Sequence, residues 1–517
     1  MAEWLKDAVF YEIYPQSFRD TNGDGIGDFN GIIEKLDYIN ELGCNAIWLN
    51  PCFDSPFTDA GYDVRDYYMA APRYGTNEDL KRLFEECHNR DMHLLLDLVP
   101  GHTSYDHPWF LESMKAKENE YTHRYVWTDS VWDSPDDPNI RGWIRGISDR
   151  DGSCAVNFFS TQPALNYGFL NRTEDWQFSM DSPEAKATRE AMQDVMAFWL
   201  DMGCDGFRVD MAGHMIKGDD EESSGTVEFW KRVRAFLDDR YPEAVMISEW
   251  GQPDKALLGG YHMDFLLHFG PSHYMDLFRE NPYFKREGNG NIKAFADRYM
   301  ECYQKAGEKG MICIPSGNHD MDRMRKFLDE EEMKVAFAFL LSVPGAPFIY
   351  YGDEIGMRFV DGLTSVEGGF YRTGSRTPMQ WGGGVNDGFS AAKKENLYIA
   401  MDDSEGHPTV EAQMQDENSL YHEVKKLIQI RRETKALGNE GKIEFLYAEE
   451  NAYPFVYLRS YEEEKVLVAL NPSGKDVTIE LDGYEAKETV YSHGEGVIFS
   501  EGKLKVKAES AAFLRVE

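Results

Sequence analysis

The chain has 517 residues, with 91 Asp+Glu against 54 Lys+Arg, a formal charge of −37 and 42% hydrophobic content. That apolar share is ample for a large core and excludes whole-chain disorder. The negative charge repels phosphate backbones and anionic lipid headgroups, so it argues against nucleic acid and membrane partners and leaves neutral or cationic small molecules. No apolar run approaches the roughly 20 residues of a membrane span. The N-terminus lacks a basic stretch followed by an apolar one. The seven cysteines are scattered, odd in number and free of CxxC spacing, which reads as reduced thiols in the cytoplasm.

Short apolar runs alternate with amphipathic segments along most of the chain. Strands are expected at Val9–Tyr14, Ala46–Leu49, His93–Val99, Gly206–Val209, Val245–Ser248, near Asp264–Leu267, at Met311–Ile314 and at Pro347–Tyr351. Eight such runs suit an α/β fold closed as a (β/α)8 barrel. Ser182-Pro183-Glu184 reads as an N-cap followed by proline, opening a helix that carries Met192, Val195, Met196 and Trp199 on one face. Leu420, Val424, Leu427 and Ile428 form another such stripe.

Two stretches break the rhythm. Residues 101–170 are rich in Asp, Pro, Trp and Tyr without helical period, too long for an ordinary loop. They read as a small domain inserted after the third strand. A glycine-rich excursion, Gly368 to Gly384, follows the eighth. From residue 438 onward the pattern alternates, as in Phe455–Leu458 and Val466–Leu470, which predicts an antiparallel β-sandwich. The expected organisation is therefore a barrel over 1–100 and 171–437, an insert over 101–170, and a C-terminal β domain over 438–517.

In a barrel, residues at the C-terminal ends of strands face the mouth of the site. Here those ends carry Asp97 and His102, Arg208 and Asp210, Glu249, and Asn318-His319-Asp320. One acid at a strand end is ordinary; several converging ones must spread their pKa values, so that one stays protonated beside an ionised neighbour. An acid beside a carboxylate nucleophile about 5–5.5 Å away is what retaining glycoside cleavage requires.

With these motifs (DLVPGH from Asp97, GFRVD ending at Asp210, ISE ending at Glu249, NHD ending at Asp320) the sequence resembles the α-amylase family of glycoside hydrolases. The segments QPALN from Gln162 and GDEIG from Gly352 support it. The resemblance implies Asp210 as nucleophile, Glu249 as general acid/base and Asp320 as transition-state stabiliser. It also implies that Arg208 keeps Asp210 ionised, and that His102 and His319 bond hydroxyls of the cleaved sugar. DAGYD (Asp59–Asp63) and RTPMQW (Arg376–Trp381) resemble the exo-acting branch with oligo-1,6-glucosidase, α-glucosidase, trehalose synthase and sucrose isomerase. That likeness implies Asp63 and Arg376 clamping the 4-hydroxyl of a terminal glucose, with Tyr62 stacked beneath the ring. The other reading of Asp63 and Arg376 is a structural ion pair closing the barrel top.

The early loop DTNGDGIGD (Asp20–Asp28) places oxygen ligands at alternate positions, as a hard cation needs, although Gly31 stands where an EF-hand has its glutamate. The alternative is an Asx-rich turn without metal. The same resemblance implies a structural Ca2+ held by Asp20, Asn22, Asp24, the Ile26 carbonyl and Asp28. There are departures: Gly101 replaces the Asn of the amylase-type interdomain Ca2+ site, Ala164 replaces an Asp, and Met211 follows the nucleophile where Val, Ala or Thr is usual. Linkage preference is therefore not carried over.

The expected function is a retaining exo-α-glucosidase acting on neutral α-1,4- or α-1,6-linked gluco-oligosaccharides or disaccharides. The alternative is a transglycosylase or isomerase, trehalose synthase-like, using the same covalent glucosyl-enzyme. Sucrose isomerisation is disfavoured because no segment resembles the RLDRD signature. The remote alternative is a non-catalytic amylase-like protein, which the complete set of acids argues against.

Overall fold

A computed structural model describes residues 2–288, 290–368 and 371–517; Gly369 and Phe370 of the glycine-rich excursion lie outside the described residues. Eight parallel strands form the barrel: β1 (Phe10–Ile13), β2 (Ala46–Leu49), β3 (His93–Leu98), β4 (Gly206–Val209), β5 (Val245–Ser248), β6 (Met263–Phe265), β7 (Met311–Cys313) and β8 (Phe348–Tyr350). All eight fall on the expected apolar runs, and nearly every residue in them is buried because helices cover the outer face. The ladder is continuous from β7 through β6, β5, β4, β3, β2 and β1 to β8. Among the described residues, closure between β7 and β8 is thin: one bridge, Pro315 with Phe348, one backbone hydrogen bond from Ser316 N to Phe348 O (2.9 Å), and one from Tyr350 N to Ser316 Oγ (3.1 Å).

Helix α1 (Phe29–Leu42) is capped by Asp28, whose side chain accepts from Gly31 N, and ends at Gly43 with φ 107°. Helix α2 (Asn77–His88) opens with a capping box between Thr76 and Asp79. The proline-led helix runs Pro183–Met202, its N-cap Ser182 accepting from Ala185 N. Residues 101–170 hold a short helix, Pro108–Ser113, and a hairpin pairing Gly142–Ile144 with Cys154–Val156. After Leu437 the chain builds a five-stranded antiparallel sheet facing a three-stranded one, with Val456, Leu467, Leu504 and Leu514 among the side chains packed between them.

Lys217 joins the insert to the barrel. Its ammonium, 1% exposed, donates to the carbonyls of Asn139 (2.8 Å) and His214 (2.8 Å) and to Asn157 Oδ1 (3.4 Å). Burial pushes its pKa down to about 8. The chain thus supplies its own cation at the junction. Among the described residues no helix is long and apolar enough to cross a membrane, and all seven cysteines are buried and unpaired.

Candidate active site

A cavity of about 720 Å3 opens at the C-terminal ends of the strands, within the usual range of roughly 300–1,000 Å3 for small-molecule sites. Asp210, one residue past β4, Glu249, one past β5, and Asp320, on the segment leaving β7, all line it. Arg208 ties the first two together. Its Nη1 lies 2.9 Å from Asp210 Oδ1 and 2.9 Å from Asp97 Oδ1, and its Nη2 lies 2.9 Å from Glu249 Oε2. Alternation along β4 aims Phe207 and Val209 away and Arg208 inward, so one guanidinium reaches three acids.

The electrostatics separate these acids. Burial and the Glu249 carboxylate push Asp210 well up, against the pull of Arg208. Asp97 is pushed up to about 6 by burial, although Arg208, Trp48 Nε1 (3.0 Å) and Tyr62 Oη (2.9 Å) all favour its charge. Burial opposes ionisation of Asp320 too, but His319, Arg372 and Arg376 hold it far below the ordinary carboxylate range. Arg372 Nη1 is 2.7 Å and Arg376 Nη2 2.9 Å from its Oδ1.

The expected Asp63–Arg376 pair does not form. Asp63 is fully buried, and its carboxylate accepts from Ser55 Oγ (2.9 Å), Thr58 N (2.8 Å), Thr58 Oγ1 (2.5 Å) and Asp59 N (3.1 Å). The turn through Ala60 (φ 55°) and Gly61 (φ 97°) points Asp63 into its own loop and leaves Asp59 facing the cavity. Arg376 is likewise buried behind the wall, with Nε donating to His319 O (2.8 Å). In the cavity Arg372 pairs with Asp59 at 3.2 Å as well as with Asp320. Gln162 Nε2 supports Asp59 Oδ2 at 2.8 Å.

The two histidines also differ from expectation. His102 lines the cavity, but its Nε2 is 2.8 Å from Tyr62 O and its Nδ1 3.1 Å from Asn157 Nδ2, so neither nitrogen is free. Burial brings its pKa down to about 4, leaving a neutral ring that donates from Nε2 and accepts at Nδ1. His319 is fully buried behind Tyr62, the rings stacked 5.3 Å apart. Its Nδ1 meets Glu12 Oε1 (2.9 Å) and its Nε2 meets Tyr62 Oη (2.8 Å). Glu12 of β1, fully buried and pushed well up by burial, fixes that ring; the sequence reading missed it. Tyr62 does line the cavity. Past Met211, which lines the wall at φ 45° and donates from N to Glu249 Oε2 (3.1 Å), come Trp250, Phe269 and an edge-on pair, Phe158 and Phe159.

The early loop is a tightly bonded turn. Asp20 accepts from Gly23 N and Gly25 N, Asn22 from Asp24 N, Asp24 from Ile26 N, and Asp28 from Thr21 and Gly31. Asp20 and Asp28 are 1% and 4% exposed, and neither forms an ion pair with Lys or Arg among the described residues. Among the described residues Asp20, Asp24 and Asp28 do not gather into one cluster of donor atoms, and their oxygens accept from the loop's own N–H groups, the arrangement of an Asx-rich turn.

Residues 12–440 match the family described as Alpha amylase, catalytic domain, and residues 443–504 match Maltogenic Amylase, C-terminal domain. The oligo-1,6-glucosidase of Parageobacillus thermoglucosidasius is 32% identical, over 95% of this chain and 94% of its own. The trehalose synthase/amylase TreS of Mycolicibacterium smegmatis is 34% identical, over 83% and 76%. Among solved structures, the trehalulose synthase MutB from Pseudomonas mesoacidophila superposes with a TM-score of 0.82 at 28% identity, covering all of both chains. With the barrel, the acid cluster and these matches in agreement, the chain belongs to the α-amylase family of glycoside hydrolases.

Proposed function

We propose that this enzyme is a retaining exo-α-glucosidase that releases glucose from the non-reducing end of short α-1,4- or α-1,6-linked gluco-oligosaccharides. The observation that carries this reading is the Asp59–Arg372–Asp320 chain of ion pairs across the cavity. It offers a charged acceptor and donor to the hydroxyls of a terminal ring, and a longer chain beyond that ring meets the pair.

Glu249 protonates the glycosidic oxygen while Asp210 attacks the anomeric carbon, so the C–O bond to the leaving sugar breaks as the ester to Asp210 forms. Glu249 then takes a proton from water, which displaces Asp210 and yields α-glucose. Arg208 Nη2 and Met211 N hold Glu249 Oε2 as an acceptor, leaving Oε1 for the proton. Asp210 and Glu249 on neighbouring nitrogens of one guanidinium suit a retaining enzyme, since inversion leaves room of about 6.5–9.5 Å for a water. Ionised Asp320 supplies negative charge to the oxocarbenium-like state.

The apolar wall of Phe158, Phe159, Trp250 and Phe269 favours a second reading, in which a sugar acceptor replaces water and the product is a transferred or isomerised glucoside. Anomer-resolved NMR of products from maltose, isomaltose, trehalose and sucrose tests both. Initial release of α-glucose is expected, β-glucose rules out retention, and disaccharide products exceeding free glucose favour the second reading. The loop Asp20–Asp28 is proposed to bind Ca2+ through its oxygens; a melting temperature unmoved by Ca2+ or chelator overturns that. The seven unpaired thiols support a reducing, cytoplasmic compartment.

A further inference from the structure

On the opposite face of the barrel, three donor side chains from separate elements meet. His88 ends α2, His93 begins β3, and Asp205 immediately precedes β4. His88 Nε2 lies 3.0 Å from Asp205 Oδ2 and 3.2 Å from Oδ1, and His93 Nδ1 lies 2.9 Å from Oδ1. All three donor atoms fall within 4.8 Å of one another. We infer that His88, His93 and Asp205 form a binding site for a borderline transition-metal dication, of which Zn2+ is the representative.

Four points carry the assignment. First, a tetrahedral Zn2+ with bonds of about 2.0–2.1 Å separates neighbouring ligand atoms by roughly 3.3 Å; the two His–Asp spacings need open by only a few tenths of an ångström, and the two ring nitrogens already lie within 4.8 Å of each other. Second, two imidazoles and one carboxylate suit zinc; an alkaline-earth ion wants oxygens. Third, the ligands are held in place before any ion arrives. Asp205 N donates to Leu94 O (2.9 Å), Asp205 O accepts from Val245 N (2.9 Å), and Asp205 Oδ2 also takes Leu94 N (2.8 Å). Trp4 stacks on the His93 ring at 4.1 Å and 15°. Fourth, no Lys or Arg among the described residues pairs with Asp205, and the half-exposed His88 side chain (42%) leaves an approach for the ion and a water as fourth ligand. An incoming ion displaces the ring protons that now lie between the two imidazoles and Asp205.

The test titrates metal-stripped full-length protein with ZnCl2 by calorimetry and with CoCl2 by visible absorption, alongside His88→Gln and His93→Gln. The wild type is expected to take up one equivalent of zinc, to melt at a higher temperature with it, and to give the absorption of four-coordinate cobalt. Each variant is expected to bind more than about tenfold more weakly, a loss that follows even removal of a residue merely supporting a ligand, while hydrolysing an aryl α-glucoside like the wild type. No uptake by the wild type, or the same affinity in both variants, overturns the site; in the second case the ion sits elsewhere, as among the acids of the cavity.

Discussion

At the scale of single residues, the proposed exo action rests on the Asp59–Arg372 pair. Asp59→Asn keeps the shape of the side chain and removes the charge that pairs with Arg372. It is expected to cut kcat/KM on maltose roughly a hundredfold, about 2.7 kcal/mol, the worth of a charged hydrogen bond. Steady-state kinetics checks this; an unchanged kcat/KM removes the clamp. Asp63→Asn should leave KM near the wild-type value if the protein folds, because that carboxylate only braces its own loop. A second residue-scale prediction concerns Asp264. Its Oδ1 accepts from Ser248 Oγ and Trp250 N, its Oδ2 has no hydrogen-bond partner among the described residues, and burial pushes it up to about 7. The native state therefore binds the proton more tightly than the unfolded chain, whose carboxylate titrates near about 3.9. Stability from this group is present at low pH and is withdrawn as pH rises toward 7. Asp264→Asn should gain stability relative to wild type as pH rises from 5 to 8, by an amount on the order of a few kcal/mol, read as a rising difference in melting temperature. Calorimetry showing a pH-independent difference contradicts it.

At the scale of elements, strands were legible because each is a short apolar run bounded by turn residues, and strand ends locate chemistry in a barrel. Asp210, Glu249 and Asp320 fall in one cavity for that reason. What escaped was set by turns and by distant packing. Residues Asp59 and Asp63 occupy the same motif, and only the reversal at Ala60 and Gly61 decides which faces the sugar. Arg372 lies four residues before Arg376, in a stretch without period. Glu12 sits inside a strand that reads as plain core, and its partner His319 is 307 residues away. Lys217 is of the same kind, a charged residue whose cage of carbonyls comes from the insert and the barrel together. Lys217→Met leaves those acceptors unmet, at about 1–3 kcal/mol each. The expected result is a lower melting temperature and first proteolytic cuts within residues 101–170, whereas chelators should not reproduce that pattern. Cleavage starting elsewhere in both proteins counts against the junction role.

At the scale of the whole molecule, the chain carries a charge of −37, while the acids of the cavity are each ion-paired with Arg208, Arg372 or Arg376. A distant field of this kind acts on approach more than on chemistry. An α-glucoside with an anionic leaving group is therefore expected to show a higher KM than its neutral counterpart. The gap should narrow as salt shortens the screening length from about 10 Å at 0.1 M to about 3 Å at 1 M. A salt-independent ratio of the two KM values would place the discrimination inside the cavity instead.

The thin closure between β7 and β8 makes the barrel a split ring rather than a hoop. Asp210 and Glu249 ride on one arc of it, while Asp320 leaves the strand beside the gap, steadied by Ser316, whose Oγ donates to Asp353 Oδ2 (2.7 Å) and accepts from Tyr350 N (3.1 Å). Any widening of the gap moves the stabilising charge relative to the reacting pair without disturbing that pair. Amide exchange should accordingly be faster along Phe348–Tyr350 than along Leu94–Leu98, whose strand is hydrogen-bonded on both sides. The expected outcome is a ring that opens first beside Asp320, and protection along Leu94–Leu98 lost as early as that along Phe348–Tyr350 counts against it.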